Sequence, residues 1–278
     1  MKLFITGATG FVGSHVVQQA MAAGHEVVAL RRPGSQPRIP LAQQPIWVDA
    51  ALDSDLRQAL QGCDVLIHLA SHTPNPPYAP LDECLYWNVY AAIRLTRQAR
   101  EAGISRFLIA GSCFEHGVAA EGLDLIETHT PLQPNLSYPT SKAAATIAFE
   151  GFAREHQVQL KTLRIYQVFG EGEAEQRLWP ALRRAARSGA DFPMSAGEQV
   201  RDFIDVRDVA AQFLAHLDFG SCQPGRPEVH PIASGTPQTL LEFASHWWST
   251  WGATGRLLPG AMPYRHNELM RLVPRMTR

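Results

Sequence analysis

The sequence predicts an α/β chain: a doubly wound parallel sheet with a smaller C-terminal lobe. Three observations carry this. Apolar runs of strand length alternate with longer segments of helical period, the pattern of repeated βαβ units. A glycine-spaced loop, Gly7-Ala8-Thr9-Gly10-Phe11-Val12-Gly13, separates the first such run from the first helix. Beyond Gly170 the alternation degrades into irregular segments. The expected division is a larger unit over residues 1–168, with 203–218 packing back on it, and a smaller lobe over 169–278.

Lys2–Thr6 reads as a buried first strand and Phe11–Ala23 as its helix, ended by Gly24. Glu26–Leu30 is the second strand, closed by the turn-forming Arg31-Arg32-Pro33-Gly34. A Pro- and Gln-rich crossover leads to a short strand at Ile46–Val48, a helix near Ser54–Leu60 and a strand at Val65–Leu69. Ser71–Pro80 carries four prolines and must be a loop. Leu81–Ala102 is a long helix, Arg106–Gly111 a strand, Ser137–Glu155 another long helix, and Leu160–Ile165 the sixth strand. There follow a helix near Ala174–Ser188, a loop to Arg201, a helix at Val206–Leu217, and a last short strand and helix.

With 25 Lys and Arg against 26 Asp and Glu, and no long basic run, the chain lacks the excess that nucleic-acid or membrane-surface binding requires. No apolar stretch approaches the roughly 18 residues of a membrane span, and the first glycines come too early for a secretory leader. Cys63, Cys84, Cys113 and Cys222 form no close pair, so reduced thiols and a cytoplasmic setting are expected. His68 and His72 straddle a strand end, which disfavours a zinc pair, and no metal is expected.

Each glycine of the loop has a physical use. Gly7 permits the turn off the strand, Gly10 lets backbone approach a pyrophosphate, and Gly13 lets helix and sheet pack closely. The first helical turn then offers its N–H groups and positive dipole end to phosphates. A motif preceded by a strand and followed by a helix predicts a Rossmann-like dinucleotide site. At the end of the second strand, where an acid would hold the ribose of NAD, stand Arg31 and Arg32. Arginine accommodates a 2′-phosphate, so NADP is preferred, with NAD the alternative.

Tyr138 and Lys142 are four apart, on one face of a helix. A nearby cation favours the phenolate, lowering the tyrosine from its ordinary value of about 10. Tyr138 can then exchange a proton with a carbonyl or carbinol oxygen. Ser112 ends the fifth strand at the carboxyl edge, where such folds bind ligands, and can orient the same oxygen.

Taken with Asp49, Leu69-Ala70-Ser71, Asn88-Val89, Leu163 through Gly170, and Arg201-Asp202-Phe203, these motifs resemble the extended short-chain dehydrogenase/reductases. The match is to the branch of NAD(P)-dependent epimerases, dehydratases and reductases acting on nucleotide-sugars, and it spans nearly the whole chain. The resemblance implies a cofactor site of Gly7, Thr9, Gly10, Phe11, Val12, Gly13, Arg31, Arg32, Asp49, Ala50, Leu69, Ala70, Ser71, Asn88, Tyr138, Lys142 and Tyr166. Within it Asp49 and Ala50 would lie by the adenine, and Lys142 would hold the nicotinamide ribose. Thr73, Ser112, Cys113, Phe114, Tyr138 and Gln167 would face the substrate, with Arg201 and Arg265 on its diphosphate and the smaller lobe binding it. Ser112, Tyr138 and Lys142 would be catalytic. A homodimer through the two long helices is implied as well.

The residues after Ser112 narrow the chemistry. Dehydratases resembling this family carry Asp-Glu there; Cys113-Phe114 cannot do that work. Cys113 is also one place short of the cysteine of epimerase-reductases, and on extended backbone a one-residue shift reverses the side chain, so it reads as a packed residue. The remaining reading is NADPH-dependent reduction of a nucleotide-linked 4-keto-6-deoxy-sugar. A C4 epimerase holding NAD is the alternative, and a non-catalytic NADP-binding regulator or scaffold is the alternative of another class. His116, before Gly117, reads as an ordinary loop residue, with titration near neutrality the less favoured alternative. Trp247, Trp248 and Trp251 read as core or contact residues, with stacking on a base less favoured.

Overall fold

The computed structural model describes residues 1–266 and 268–276; Asn267, Thr277 and Arg278, inside the predicted smaller lobe, lie outside the described residues. From the N-terminus, β1 (Lys2–Thr6) leads into α1 (Phe11–Ala22), β2 (Glu26–Arg31) and β3 (Ile46–Asp49). A single turn, α2 (Arg57–Leu60), precedes β4 (Val65–His68). Next come α3 (Leu81–Leu85), a π-helical turn at Tyr86–Ala91, α4 (Ala92–Glu101), β5 (Arg106–Ser112), α5 (Ser137–His156) and β6 (Gln159–Ile165). The remaining elements are β7 (Gln167–Phe169), α6 (Leu178–Ser188), β8 (Phe192–Pro193), β9 (Val200–Asp205), α7 (Val206–Ala215) and β10 (Glu228–Ile232). They end with β11 (Pro237–Thr239), α8 (Leu240–Thr250), β12 (Leu257–Leu258) and β13 (Arg271–Leu272).

Seven strands form one parallel sheet in the order β10-β6-β5-β4-β1-β2-β3. This is the Rossmann-like, doubly wound α/β fold the alternation predicted. Side chains alternate across β1, so Leu3 and Ile5 enter one core and Phe4 the other. On the first face, Val16 and Val17 of α1 and Val209, Ala210 and Phe213 of α7 cover the sheet. On the second, Leu95 and Ala99 of α4 and Phe149 and Phe152 of α5 meet Phe107 and Leu160. A strand covered on both faces must be apolar throughout, which is why these runs were legible. The winding reverses beside β1, and at that switch point a crevice opens off the carboxyl ends.

Three departures from the predicted elements have physical causes. The predicted helix 81–102 is broken by the π-helical turn, which carries Asn88 inward to accept from the His72 N–H at 2.7 Å and donate to Ser141 Oγ at 2.9 Å. β10, inside the segment assigned to the smaller lobe, returns to the main sheet and pairs with β6 from Glu228↔Lys161 to Ile232↔Ile165. A second sheet, β11-β9-β13 with β7 also on β9, runs partly through the predicted loop before Arg201. Its central strand hid because Arg201 and Asp202 are charged yet buried there. Asp202 accepts from Ser234 N at 2.6 Å and Gly235 N at 2.9 Å, which offsets the desolvation of its carboxylate.

Candidate active site

The glycine loop is built as the spacing required. Gly7 has φ +69°, and a Cβ there would lie 2.6 Å from Ala70 N; a Cβ on Gly13 would lie 2.0 Å from Gly7 O. Gly10 caps α1 with no side-chain hydrogen bond, and no acid stands in the first turn, so that helix end suits an anion. Ser14 Oγ donates to Gly10 O at 2.7 Å and accepts from Arg38 N at 3.0 Å, tying the loop to the segment after β2.

A crevice of about 690 Å³ runs from this loop to the ends of β4, β5 and β6. Of the cofactor candidates, Gly7, Thr9, Gly10, Phe11, Val12, Gly13, Arg31, Arg32, Ala50, Leu69, Ala70, Ser71, Asn88, Tyr138, Lys142 and Tyr166 line it. Asp49 does not. Its carboxylate takes the Arg31 guanidinium in a two-pronged pair, Nε–Oδ1 2.8 Å and Nη2–Oδ2 3.2 Å, and Arg31 also covers the Trp47 ring. That hydrogen bonding holds the Asp49 carboxyl below its ordinary range. Arg38, absent from the predicted set, lines the same crevice, and Ser35 Oγ sits 3.3 Å from Thr9 Oγ1. The run Arg32 to Arg38 was the available signal for both.

Ser112, Tyr138 and Lys142 come together on one wall, all buried. Tyr138 and Lys142 face inward from the first two turns of α5, and Lys142 Nζ donates to Ala110 O at 2.7 Å. Ser112 Oγ accepts from Phe114 N at 3.3 Å, which leaves its own proton free to donate. The Tyr138 phenol is flanked by the hydroxyls of Ser71 and Ser112, and its ring lies 5.4 Å from that of Tyr78. The expected lowering of the phenol by Lys142 is not found. Burial pushes Tyr138 above the ordinary tyrosine value, the two serine hydroxyls pull the other way, and the Lys142 ammonium is spent on Ala110 O. Burial lowers Lys142 too, against the pull of Glu115.

On the substrate side, Thr73, Phe114 and Gln167 line the crevice; Cys113, Arg201 and Arg265 do not. Cys113 packs against Tyr166, Ala120 and Ile126, and burial pushes its thiol up to about 12. Arg201 is buried and donates to Glu268 Oε1 at 2.7 Å, Leu269 O at 2.6 Å and Val200 O at 2.9 Å. Glu268 is the partner, not the neighbouring Asp202 or Asp205. Arg265 is exposed. Arg177 and Glu173, which the motifs did not flag, do line the crevice, with Arg177 Nε 3.3 Å from Glu173 Oε1. Burial raises the Glu173 carboxyl to about 7 even beside that arginine.

His116 is no loop titrator: it is fully buried, with Nδ1 against Thr130 O at 3.1 Å, and burial lowers it to about 4. Trp247, Trp248 and Trp251 pack in the aromatic and aliphatic core around α6 and α8. Among the described residues no group of three His, Cys, Asp or Glu is placed to hold a metal, and no helix is long and apolar enough to cross a membrane.

A glycine-loop helix end suited to an anion, beside a buried Tyr, Lys and Ser, defines a dinucleotide-dependent oxidoreductase of the extended short-chain type. The profile of the NAD dependent epimerase/dehydratase family matches residues 3–226, and the chain belongs to that family. It is 27% identical over 238 residues to a dTDP-6-deoxy-L-talose 4-dehydrogenase (NAD(+)) of Aggregatibacter actinomycetemcomitans, covering 82% of this chain and 86% of that one. It is 24% identical over 270 residues to the CDP-abequose synthase of Salmonella muenchen, covering 97% and 87%. Among solved structures, MoeE5 in complex with UDP-glucuronic acid and NAD superposes with a TM-score of 0.83 at 25% identity, over 99% of this chain and 90% of that one.

Proposed function

We propose that this enzyme reduces the 4-keto group of a nucleotide-linked 6-deoxy-sugar with NADPH. The observation that carries the reading is the convergence of Ser112, Tyr138 and Lys142 on one wall of the crevice that the glycine loop opens. Two relatives named for a dTDP-6-deoxy-sugar 4-dehydrogenase and a CDP-sugar synthase support the substrate class. The absence of an acid pair after Ser112 supports plain redox chemistry over dehydration.

The cradle fits a dinucleotide. The α1 N-terminus and the glycine backbone would hold its pyrophosphate, Ala50 would border the adenine, and Lys142 and Tyr166 would lie along the nicotinamide half. Bound and reduced, the nicotinamide supplies hydride. The chain supplies the proton. Tyr138, whose burial keeps its phenol protonated, gives it to the carbonyl oxygen. Ser112, whose Oγ accepts from Phe114 N–H, turns its O–H to the same oxygen and steadies the developing negative charge. Arg32, Arg38 and, once drawn from Asp49, Arg31 would meet a 2′-phosphate. Arg177 and the exposed Arg265 are the groups we assign to the substrate's diphosphate, since Arg201 is buried outside the crevice lining and turned onto Glu268, Leu269 and Val200. The smaller lobe, without β10, is the substrate-binding part. The exposed Tyr86, Tyr90 and Ile147 on the long helices form the face for a homodimer.

One observation favours the second reading, an NAD-dependent C4 epimerase: Arg31 is already satisfied by Asp49. The deciding assay is oxidation of NADPH and NADH against a panel of nucleotide-linked 4-keto-6-deoxy-sugars, with Tyr138→Phe alongside. The parent should oxidise NADPH and Tyr138→Phe should lose at least about a hundredfold in kcat while still binding NADPH. Preference for NADH, or full turnover by the variant, would overturn the reading.

A further inference from the structure

Glu115 has no role in the reading above, yet it is the most deeply engaged carboxylate near the site. It is fully buried. Its Oε1 accepts from Ser112 N at 2.6 Å. Its Oε2 accepts from Thr146 Oγ1 and from Arg164 Nε, each at 3.1 Å. Arg164, itself buried, also donates Nη1 to Thr128 O at 3.2 Å.

The three partners belong to three different elements. Ser112 ends β5. Thr146 lies on α5, one turn beyond Lys142 and two beyond Tyr138, so all three share a helix face. Arg164 lies on β6, two residues before Tyr166. One carboxylate therefore clamps the three segments that carry Ser112, the Tyr138–Lys142 pair and the Tyr166–Gln167 wall. A buried charge of this kind is costly unless fully bonded, and hydrophobic packing of equal volume would stabilise the fold as well. Its three partners, all on segments that carry site residues, point to a task beyond stability.

We propose that Glu115 is a positioning residue: it orients Ser112 through the backbone N–H and sets the field in which Tyr138 and Lys142 hold their protons. This rests on Tyr138 and Ser112 acting as assigned above. Two consequences follow from the geometry. With the Ser112 N–H held by Glu115 the backbone that carries the hydroxyl is fixed, and its Oγ, accepting from Phe114 N–H, keeps its proton free to donate. The buried negative charge also works against ionisation of Tyr138 and in favour of the Lys142 cation. The other groups facing this space are Arg164, which opposes Glu115, the neutral His68 and His116, the un-ionised Cys113, and the phenols Tyr78 and Tyr166.

Two variants separate the two parts. Glu115→Gln can keep the acceptor for Ser112 N and removes the charge. Its alkaline limb for reduction of a dTDP-4-keto-6-deoxy-glucose probe should move to lower pH by roughly half a unit or more, because the phenol loses its opposing anion. The same shift should appear in the phenolate absorbance of the protein alone, with Tyr138→Phe subtracted as background. Glu115→Asp keeps the charge but is one methylene short; its kcat should fall at least about tenfold, with the limb in place and NADPH affinity within about twofold. An unmoved limb and absorbance in Glu115→Gln overturns the electrostatic part, and parent-like kcat in Glu115→Asp overturns the positioning part. If the parent does not turn over the probe, the functional reading falls, while the absorbance titration still decides the field that Glu115 sets.

Discussion

Gly13 and Gly151 both lie inside helices, and replacing each by alanine adds the same methyl group. Alanine gains about 0.5–1 kcal/mol over glycine in a helix through backbone entropy. At Gly151, on the exposed face of α5, a Cβ meets nothing within 4 Å, so the gain should appear nearly whole. At Gly13 the same Cβ would sit 2.0 Å from Gly7 O, 2.7 Å from Gly7 C and 3.1 Å from Ala8 Cα. Every one of these is backbone, so no side chain can swing aside. Relief requires α1 to lift from β1, which disturbs the Gly10 N–H bond to Gly7 O at 2.8 Å. Overpacking of this kind costs about 1–3 kcal/mol or more, so the net loss is about 2 kcal/mol. For a chain of this size that lowers the melting temperature by about 4–8 °C, against a rise of about 2 °C for Gly151→Ala. Thermal melting and NADPH titration by fluorescence measure both variants. Gly13→Ala should also bind the dinucleotide at least about tenfold more weakly, because the displaced N–H groups are those proposed to hold its pyrophosphate. Equal melting shifts of one sign, or parent-like NADPH affinity in Gly13→Ala, would refute the close-packing argument.

Other outcomes follow from single residues. Glu173 has a folded pKa of about 7 against an ordinary 4.5, so the stability it permits is full below about pH 4.5 and lost as pH rises through about 7. Glu173→Gln should therefore melt near the parent at pH 5 and above it at pH 8, by an amount bounded at about 3 kcal/mol; equal gaps at both pH values would discount the buried carboxylate. Cys113→Ala should lose about 1–2 kcal/mol by leaving a small cavity against Tyr166 and Ala120, with kcat of the folded enzyme retained. Loss of kcat in that variant would restore an acid–base role to the thiol. Arg38→Ala should weaken NADPH several-fold more than NADH, as judged by the ratio of their dissociation constants, since only NADPH brings a 2′-phosphate in addition to the pyrophosphate.

The strands of the main sheet and the glycine loop were legible because their causes are local. A strand buried on both faces needs an unbroken apolar run, and a backbone turned to φ +69° between strand and helix needs glycine. Spacing alone likewise put Tyr138 and Lys142 on one helix face. Partnership was not legible, because it depends on segments far apart in the chain. Arg31 read as a free cation until β3, beside β2, brought Asp49 against it. Arg201 read as a phosphate clamp until the strand β13 ran beside β9 and carried Glu268 onto it. Glu115, between the quoted Cys113-Phe114 and His116, attracted no notice, since nothing nearby in sequence shows that Arg164 and Thr146 converge on its carboxylate. Burial itself reversed the expected direction at Tyr138: the desolvation of the phenol outweighs the hydroxyls of Ser71 and Ser112, and Lys142 is turned onto Ala110 O. Periodicity and backbone sterics thus determined the fold and the residue types of the site, whereas the protonation and pairing of its charged groups were decided by the tertiary structure, because electrostatic free energy depends on what surrounds a charge in space and not on what adjoins it in the chain.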